Sequence, residues 1–242
     1  MIDAVTFVVL GSMRMVEGQA AIAEAALDRP PGTPRRARVL TLLALAVSLA
    51  GCGGGQREPR GGSEPYRLSG AACVRMLADR QIVVGPWQTA AARGCPVDTA
   101  VRTAAGGSAA FSPPLQTSCA MLVAWSDFEA EVDRAAVATL GSRVTTIRHF
   151  GSYACRAMTG NAGRRSLHAR ARAFDISGFT LADGRTVTDA RGWRGSSAER
   201  RFLRAVATAA CRHFSVTLTP ESDRFHQDHL HVDVGPWRKC GL

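Results

Sequence analysis

Six histidines occur in the 242 residues, at 149, 168, 213, 226, 229 and 231, and three of them fall within Phe225-His226-Gln227-Asp228-His229-Leu230-His231. Side chains alternate along a strand, so His229 and His231 share a face there. Two imidazoles side by side on a rigid strand can serve one metal ion. His226 lies on the approach to that strand and can turn toward the same place. A regular strand also aims Asp228 away from His229. The second group runs from Ser166-Leu167-His168 to Ala173-Phe174-Asp175. A straight strand would put His168 and Asp175 on opposite faces, so His168 belongs to a turn and Asp175 to the strand beyond it. Zinc accepts nitrogen and carboxylate ligands at about 2.0–2.2 Å, and catalytic sites use three protein ligands with a fourth position for water. His213 ends an apolar helix face and His149 sits beside Phe150, so both read as structural.

The elements that must position these residues emerge from periodicity. Leu122, Trp125, Phe128, Val132, Ala136 and Leu140 recur at three- and four-residue steps and predict a helix over 118–140, stopped by Gly141. Ser196 and Glu199 form a capping box for a second helix over 197–213, with Phe202, Leu203, Val206, Ala209, Ala210 and His213 on its buried side. Residues 174–181 and 185–188 around Asp183-Gly184 predict a hairpin, and 144–147, 216–218 and 230–234 predict further strands. Residues 73–80 read as a short helix, 81–84 as a short strand and 106–114 as a loop. Helices and strands segregate without a βαβ repeat, which gives an α+β fold with an antiparallel sheet and flanking helices.

The N-terminus carries a different signal. Arg35, Arg36 and Arg38 precede an apolar run over 39–51 that is too short to span a bilayer but has the length of a signal-peptide core. It ends Leu49-Ala50-Gly51-Cys52, which resembles a bacterial lipobox, where the cysteine receives diacylglycerol and becomes the new N-terminus. The expectation is a signal peptide over 1–51, a lipidated flexible tether over 52–65 and one domain over 66–242. Glu17, Glu24 and Asp28 do not suit the basic start of a signal peptide, so Met13 and Met15 are alternative starts. The protein is then exported and lipid-anchored to a bacterial membrane, at the periplasmic face or the cell surface.

With Cys52 lipidated, Cys73, Cys95, Cys119, Cys155, Cys211 and Cys240 remain, and an even set in an exported chain reads as disulfides. No Cys-x-x-Cys pair offers a metal alternative. Nearness in the chain, with each pair stapling neighbouring segments, favours 73–95, 119–155 and 211–240. The net charge is +10, almost all of the basic residues being arginine. That suits an anionic partner such as a membrane surface or a cell-wall polymer. Nucleic acid is disfavoured by the absence of a Lys/Arg block or motif. Oligomeric state is open.

The pattern Ser-x-His-x-x-(small)-x-Ala-x-Asp, with His-x-His later in the chain, resembles the signature of the zinc peptidases grouped with D-Ala-D-Ala carboxypeptidases, murein endopeptidases and the hedgehog fold. That resemblance implies Zn2+ held by His168, Asp175 and His231, with His229 as a catalytic residue. Ala171 departs from it, since that group usually has glycine there. Further elements are Ser152-Tyr153-Ala154-Cys155-Arg156, Ala173-Phe174-Asp175-Ile176-Ser177-Gly178-Phe179, Ala182-Asp183-Gly184-Arg185, Phe202-Leu203 with Cys211, and His226-Gln227-Asp228-His229-Leu230-His231-Val232-Asp233. Together they resemble the bacterial extensin-like C-terminal domain.

The two resemblances imply a disulfide-stapled, hedgehog/D-Ala-D-Ala-peptidase-like domain that hydrolyses peptide cross-links or stem peptides of peptidoglycan. With no His-Glu-x-x-His helix, His226 or His229 is the candidate base and the other stabilises the oxyanion. Arg156 is the candidate to hold an acidic stem peptide. The alternative is a non-catalytic zinc protein that binds the wall or has a structural role.

Overall fold

The computed structural model describes residues 67–89 and 94–242. The signal peptide, Cys52 and the tether all lie outside the described residues. The fold is mixed α and β, with four α-helices and an eight-stranded sheet among the described residues.

The chain runs α1 (Gly70–Asp79), β1 (Ala100–Ala105), β2 (Ala110–Ser118), α2 (Cys119–Leu140), β3 (Val144–Gly151), β4 (Ala157–Met158) and β5 (Asn161–Arg165). A 3-10 turn (Leu167–Arg170) leads into β6 (Ala173–Leu181), β7 (Thr186–Thr188), α3 (Asp189–Gly192) and α4 (Ser197–His213). The chain closes with β8 (Val216–Leu218), β9 (Leu230–Asp233) and β10 (Lys239–Gly241). The sheet order is β1-β2-β3-β6-β9-β8-β10, with β7 on the far half of β6, and β4–β5 form a separate hairpin.

The sheet is not purely antiparallel, which corrects the expectation. β2 pairs with β3 in parallel, and so does β10 with β8. α2 returns the chain between β2 and β3, and the antiparallel strand β9 with its flanking loops does so between β8 and β10. No strand forms over 81–84; Gly85 alone bridges to Arg102. The expected loop over 106–114 contains the start of β2. Pro113 and Pro114 hid that strand, yet neither enters a register pair with β1 or β3. Proline is tolerated where no ladder bond is asked of it.

Both long helices form as their patterns require. The Ser118 side chain accepts from Met121 N at the start of α2, and Gly141 closes it in the left-handed region at φ 72°. Residues 119–125 are buried on every side of the helix, because α1, the sheet and α4 enclose it. The capping box of Ser196 and Glu199 is present in α4. Trp125, Phe128, Phe111 and Phe174 pack together between α2 and the inner face of the sheet, edge to face except for the tilted pair Phe111–Trp125. His149 packs against Phe111 and Phe174, and its Nε2 donates to Pro113 O at 2.7 Å. His213 pairs with Glu131 at 2.7 Å. Both keep the structural roles expected of them.

The disulfides join Cys73–Cys119, Cys95–Cys155 and Cys211–Cys240. The last is as expected, and the first two correct the expected 73–95 and 119–155. Helix packing overrides nearness in the chain. α1 lies against the start of α2, which brings buried Cys73 to buried Cys119. The loop carrying Cys95 instead meets the strand-end segment of Cys155, where Tyr153 donates its hydroxyl to Cys95 O at 3.1 Å.

Candidate metal centre

The outer face of the sheet, opposite α2 and α4, carries the cluster. β6 and β9 pair antiparallel with Asp175 directly across from His231. Phe174 and Val232 beside them point inward and are fully buried, so the strand period turns Asp175 and His231 outward together. His168 arrives from the 3-10 turn just before β6. Ser166 caps that turn by accepting from His168 N.

The turn closes at Ala171, whose φ of 50° is left-handed. This is the position at which the resembling peptidases carry glycine, and the conformation is one that glycine adopts without strain. Alanine is held there by its carbonyl, which accepts from Ser118 N at 3.1 Å, Ser118 Oγ at 2.8 Å and Thr117 Oγ1 at 3.2 Å. The His168 turn is thereby fastened to the N-terminus of α2.

His168 Nε2, His231 Nδ1 and the Asp175 carboxylate converge, and one ligand atom from each lies within 4.8 Å of the others. His168 Nε2 stands 3.3 Å from His231 Nδ1 and 3.2 Å from Asp175 Oδ2. Ligands about 2.0–2.2 Å from a tetrahedral zinc ion stand roughly 3.3–3.6 Å apart, so these edges fit the ion. The third edge, His231 Nδ1 to Asp175 Oδ1, is a hydrogen bond of 2.8 Å, with a proton where the cation would be. The outer nitrogens are also engaged. His168 Nδ1 faces Ser152 O at 3.1 Å, and His231 Nε2 lies 3.6 Å from Asp233 Oδ2. Carbonyl and carboxylate partners of this kind orient metal-binding histidines.

Electrostatics agree with a cation site. Burial works against a charged Asp175, but hydrogen bonds from His168 and His231 and their charge outweigh it and hold the carboxyl well below the usual carboxylate range. Burial likewise disfavours a charged His231, yet Asp175 and Asp233 push it up to about 9. A metal taking this place must displace that proton.

Two further histidines border the trio. His229 Nε2 lies 3.6 Å from Asp175 Oδ1, and its ring meets exposed Phe150 at 5.8 Å between centroids. The His226 ring stands 5.1 Å from that of His229 and 5.5 Å from that of His231. β9 begins only at Leu230, so His229 is the last residue of a loop. That irregularity overturns the expected orientation of Asp228: its Oδ1 accepts from His229 Nδ1 at 2.8 Å. The structure thus gathers His168, Asp175, His231, His229 and His226. Arg156 has no hydrogen bond or ion pair to these five among the described residues. It is exposed, and its guanidinium donates to Thr159 Oγ1 at 3.1 Å and to Ala157 O at 3.4 Å.

Sequence reasoning missed Ser152. Its carbonyl meets His168 Nδ1, and Ala154 N donates to His168 O at 3.0 Å. The Cys95–Cys155 bond ties this strap to the 94–98 loop. Replacing both cysteines by serine is expected to weaken zinc binding about 10- to 100-fold, as loss of an orienting partner does. Removing Cys211–Cys240, which joins α4 to β10, should cost about 2–5 kcal/mol of stability without that loss of affinity. Competition against a chelator, together with denaturant melts, reads both effects.

A family model described as extensin-like protein C-terminus matches residues 71–241. No curated protein and no solved structure matches the chain.

Proposed function

Because the chain belongs to the extensin-like protein C-terminus family, we propose that it is a zinc peptidase of the bacterial cell wall, cleaving cross-links or stem peptides of peptidoglycan. The observation that carries this reading is the convergence of His168, Asp175 and His231 with two further imidazoles that have no place in a purely structural site. The ligand set is also that of the D-Ala-D-Ala peptidase and hedgehog group, and we assign the domain to that fold.

When bound, zinc supplies a Lewis acid that polarises a carbonyl and acidifies water. The chain supplies the rest. His168, Asp175 and His231 would hold the ion. His229, with Nε2 turned toward Asp175, takes up the proton, and His226 stabilises the developing oxyanion. Burial pushes His226 down, and the Asp223 carboxylate at its Nδ1 partly offsets it, favouring the imidazolium whose Nε2 hydrogen an oxyanion can accept. Phe150 walls the His229 side of the site. Cys52 anchors the mature protein to the membrane through its lipid.

The test is mass spectrometry of purified peptidoglycan after incubation with the zinc-loaded domain. New peptide termini that vanish with a chelator and return with zinc are the expected result. Wall binding without cleavage would favour the non-catalytic wall-binding reading instead.

A further inference from the structure

Four histidines face one another on the outer side of the sheet, and three of them have a ring nitrogen hydrogen-bonded to an oxygen away from the cluster. For His168 the oxygen is Ser152 O at 3.1 Å, for His226 it is Asp223 at 2.7 Å, and for His229 it is Asp228 at 2.8 Å, whereas His231 Nε2 lies 3.6 Å from Asp233, outside hydrogen-bond reach. An ionised carboxylate can only accept, so the nitrogen facing it carries the hydrogen. For a neutral imidazole this decides which nitrogen keeps the lone pair.

We propose that Asp228 is a positioning residue that locks His229 with hydrogen on Nδ1, leaving Nε2 as the basic atom turned toward the metal centre. His229 Nε2 is the atom 3.6 Å from Asp175 Oδ1. With hydrogen there, His229 would donate to Asp175 and could accept nothing from a substrate or water. An imidazole left alone in water prefers its hydrogen on Nε2. The Asp228 contact opposes that preference, as the Ser152 carbonyl does for His168.

The loop is built to hold this arrangement. Asp223 Oδ1 accepts from Phe225 N at 2.8 Å as well as from His226. Gln227 donates to Pro220 O at 2.7 Å and to Asp223 O at 2.8 Å, and Arg194 donates to Gln227 Oε1 at 3.3 Å. Asp223 therefore serves both a turn and His226, so its removal would confuse two effects. Asp228 has His229 as its hydrogen-bond partner among the described residues and gives the cleaner test.

The catalytic meaning of this role rests on the peptidase reading above, but its test does not need turnover. Zinc-loaded mature protein with 15N-labelled histidine is compared as wild type, Asp228→Ala and Asp228→Asn by two-bond 1H–15N correlation. Wild type is expected to show His229 with hydrogen on Nδ1. Asp228→Ala should move it to Nε2, and Asp228→Asn, whose Oδ1 still accepts, should restore the wild-type pattern. Zinc content should stay at the wild-type level in both variants. Any hydrolysis should fall about 10- to 100-fold in the alanine variant and recover in the asparagine variant. Hydrogen on Nε2 of wild-type His229, an unchanged tautomer in Asp228→Ala, or loss of zinc from that variant would each overturn the assignment. Absence of hydrolysis in wild type, with the tautomer pattern as expected, would sink only the peptidase reading.

Discussion

Replacing any one of His168, Asp175 and His231 by alanine is expected to leave the purified domain with far less than one zinc per chain and to abolish its stabilisation by zinc. Each side chain contributes one atom to a cluster in which all three lie within 4.8 Å. Two remaining ligands cannot replace the third, since the sheet and the fastened 3-10 turn fix their positions. A metal bound only by the folded state adds about 4 kcal/mol when free zinc exceeds the dissociation constant a thousandfold. Wild type should show that gain in thermal melts, and the three variants should not.

The gain should also depend on pH in a defined direction. In the metal-free protein His231 is raised to about 9, so its contribution is complete below its ordinary value near 6.5 and is lost as pH rises toward 9. Asp175 is depressed, so its contribution is present above the ordinary carboxylate value and is lost only in acid. Zinc competes with the His231 proton, and its stabilisation should therefore be larger at pH 8 than at pH 6. If all three variants keep stoichiometric zinc, the ion binds elsewhere.

His229→Ala should behave in the opposite way. Zinc and fold should stay, while hydrolysis of peptidoglycan peptides drops by on the order of 10² or more, the effect of losing a proton-transfer or oxyanion group. The distances separate the two histidines of the His-Leu-His stretch. His231 Nδ1 touches both Asp175 and His168, whereas His229 reaches only to 3.6 Å from Asp175 and turns its other nitrogen to Asp228. Metal analysis beside activity measurements decides the matter. Zinc lost from His229→Ala but kept in His231→Ala would exchange their roles.

Long periodic elements were legible in the sequence. The buried face of α2 and the boundaries of α4 come from apolar spacing and from caps whose partners lie three residues away. Legibility failed where the deciding partner is distant. β10 is three residues long and exists because it lies beside β8. Cys73 meets Cys119 because two helices pack together, which spacing along the chain does not encode. At the site, strand alternation correctly places His229 near His231, although His229 lies just outside β9. The same alternation fails for Asp228 because the strand has not yet begun there. Ser152 acts through its carbonyl, which is common to every residue, so no side-chain type could announce it.

The crossed disulfides bear on how the chain survives a cut. Every point between Cys73 and Cys155 is spanned by at least one of the two bonds, so a single proteolytic nick there leaves the pieces joined. Sequential pairing would have left the stretch between Cys95 and Cys119 unguarded. Beyond Cys155 no disulfide spans the chain until Cys211. A metal ion on His168, Asp175 and His231 bridges most of that interval by coordination and overlaps the last disulfide loop. One segment stays outside both kinds of link: the exposed β4–β5 hairpin between Cys155 and His168. A cut in that hairpin divides the molecule into two separately cross-linked halves, one bearing the Ser152 strap and the other all three metal ligands.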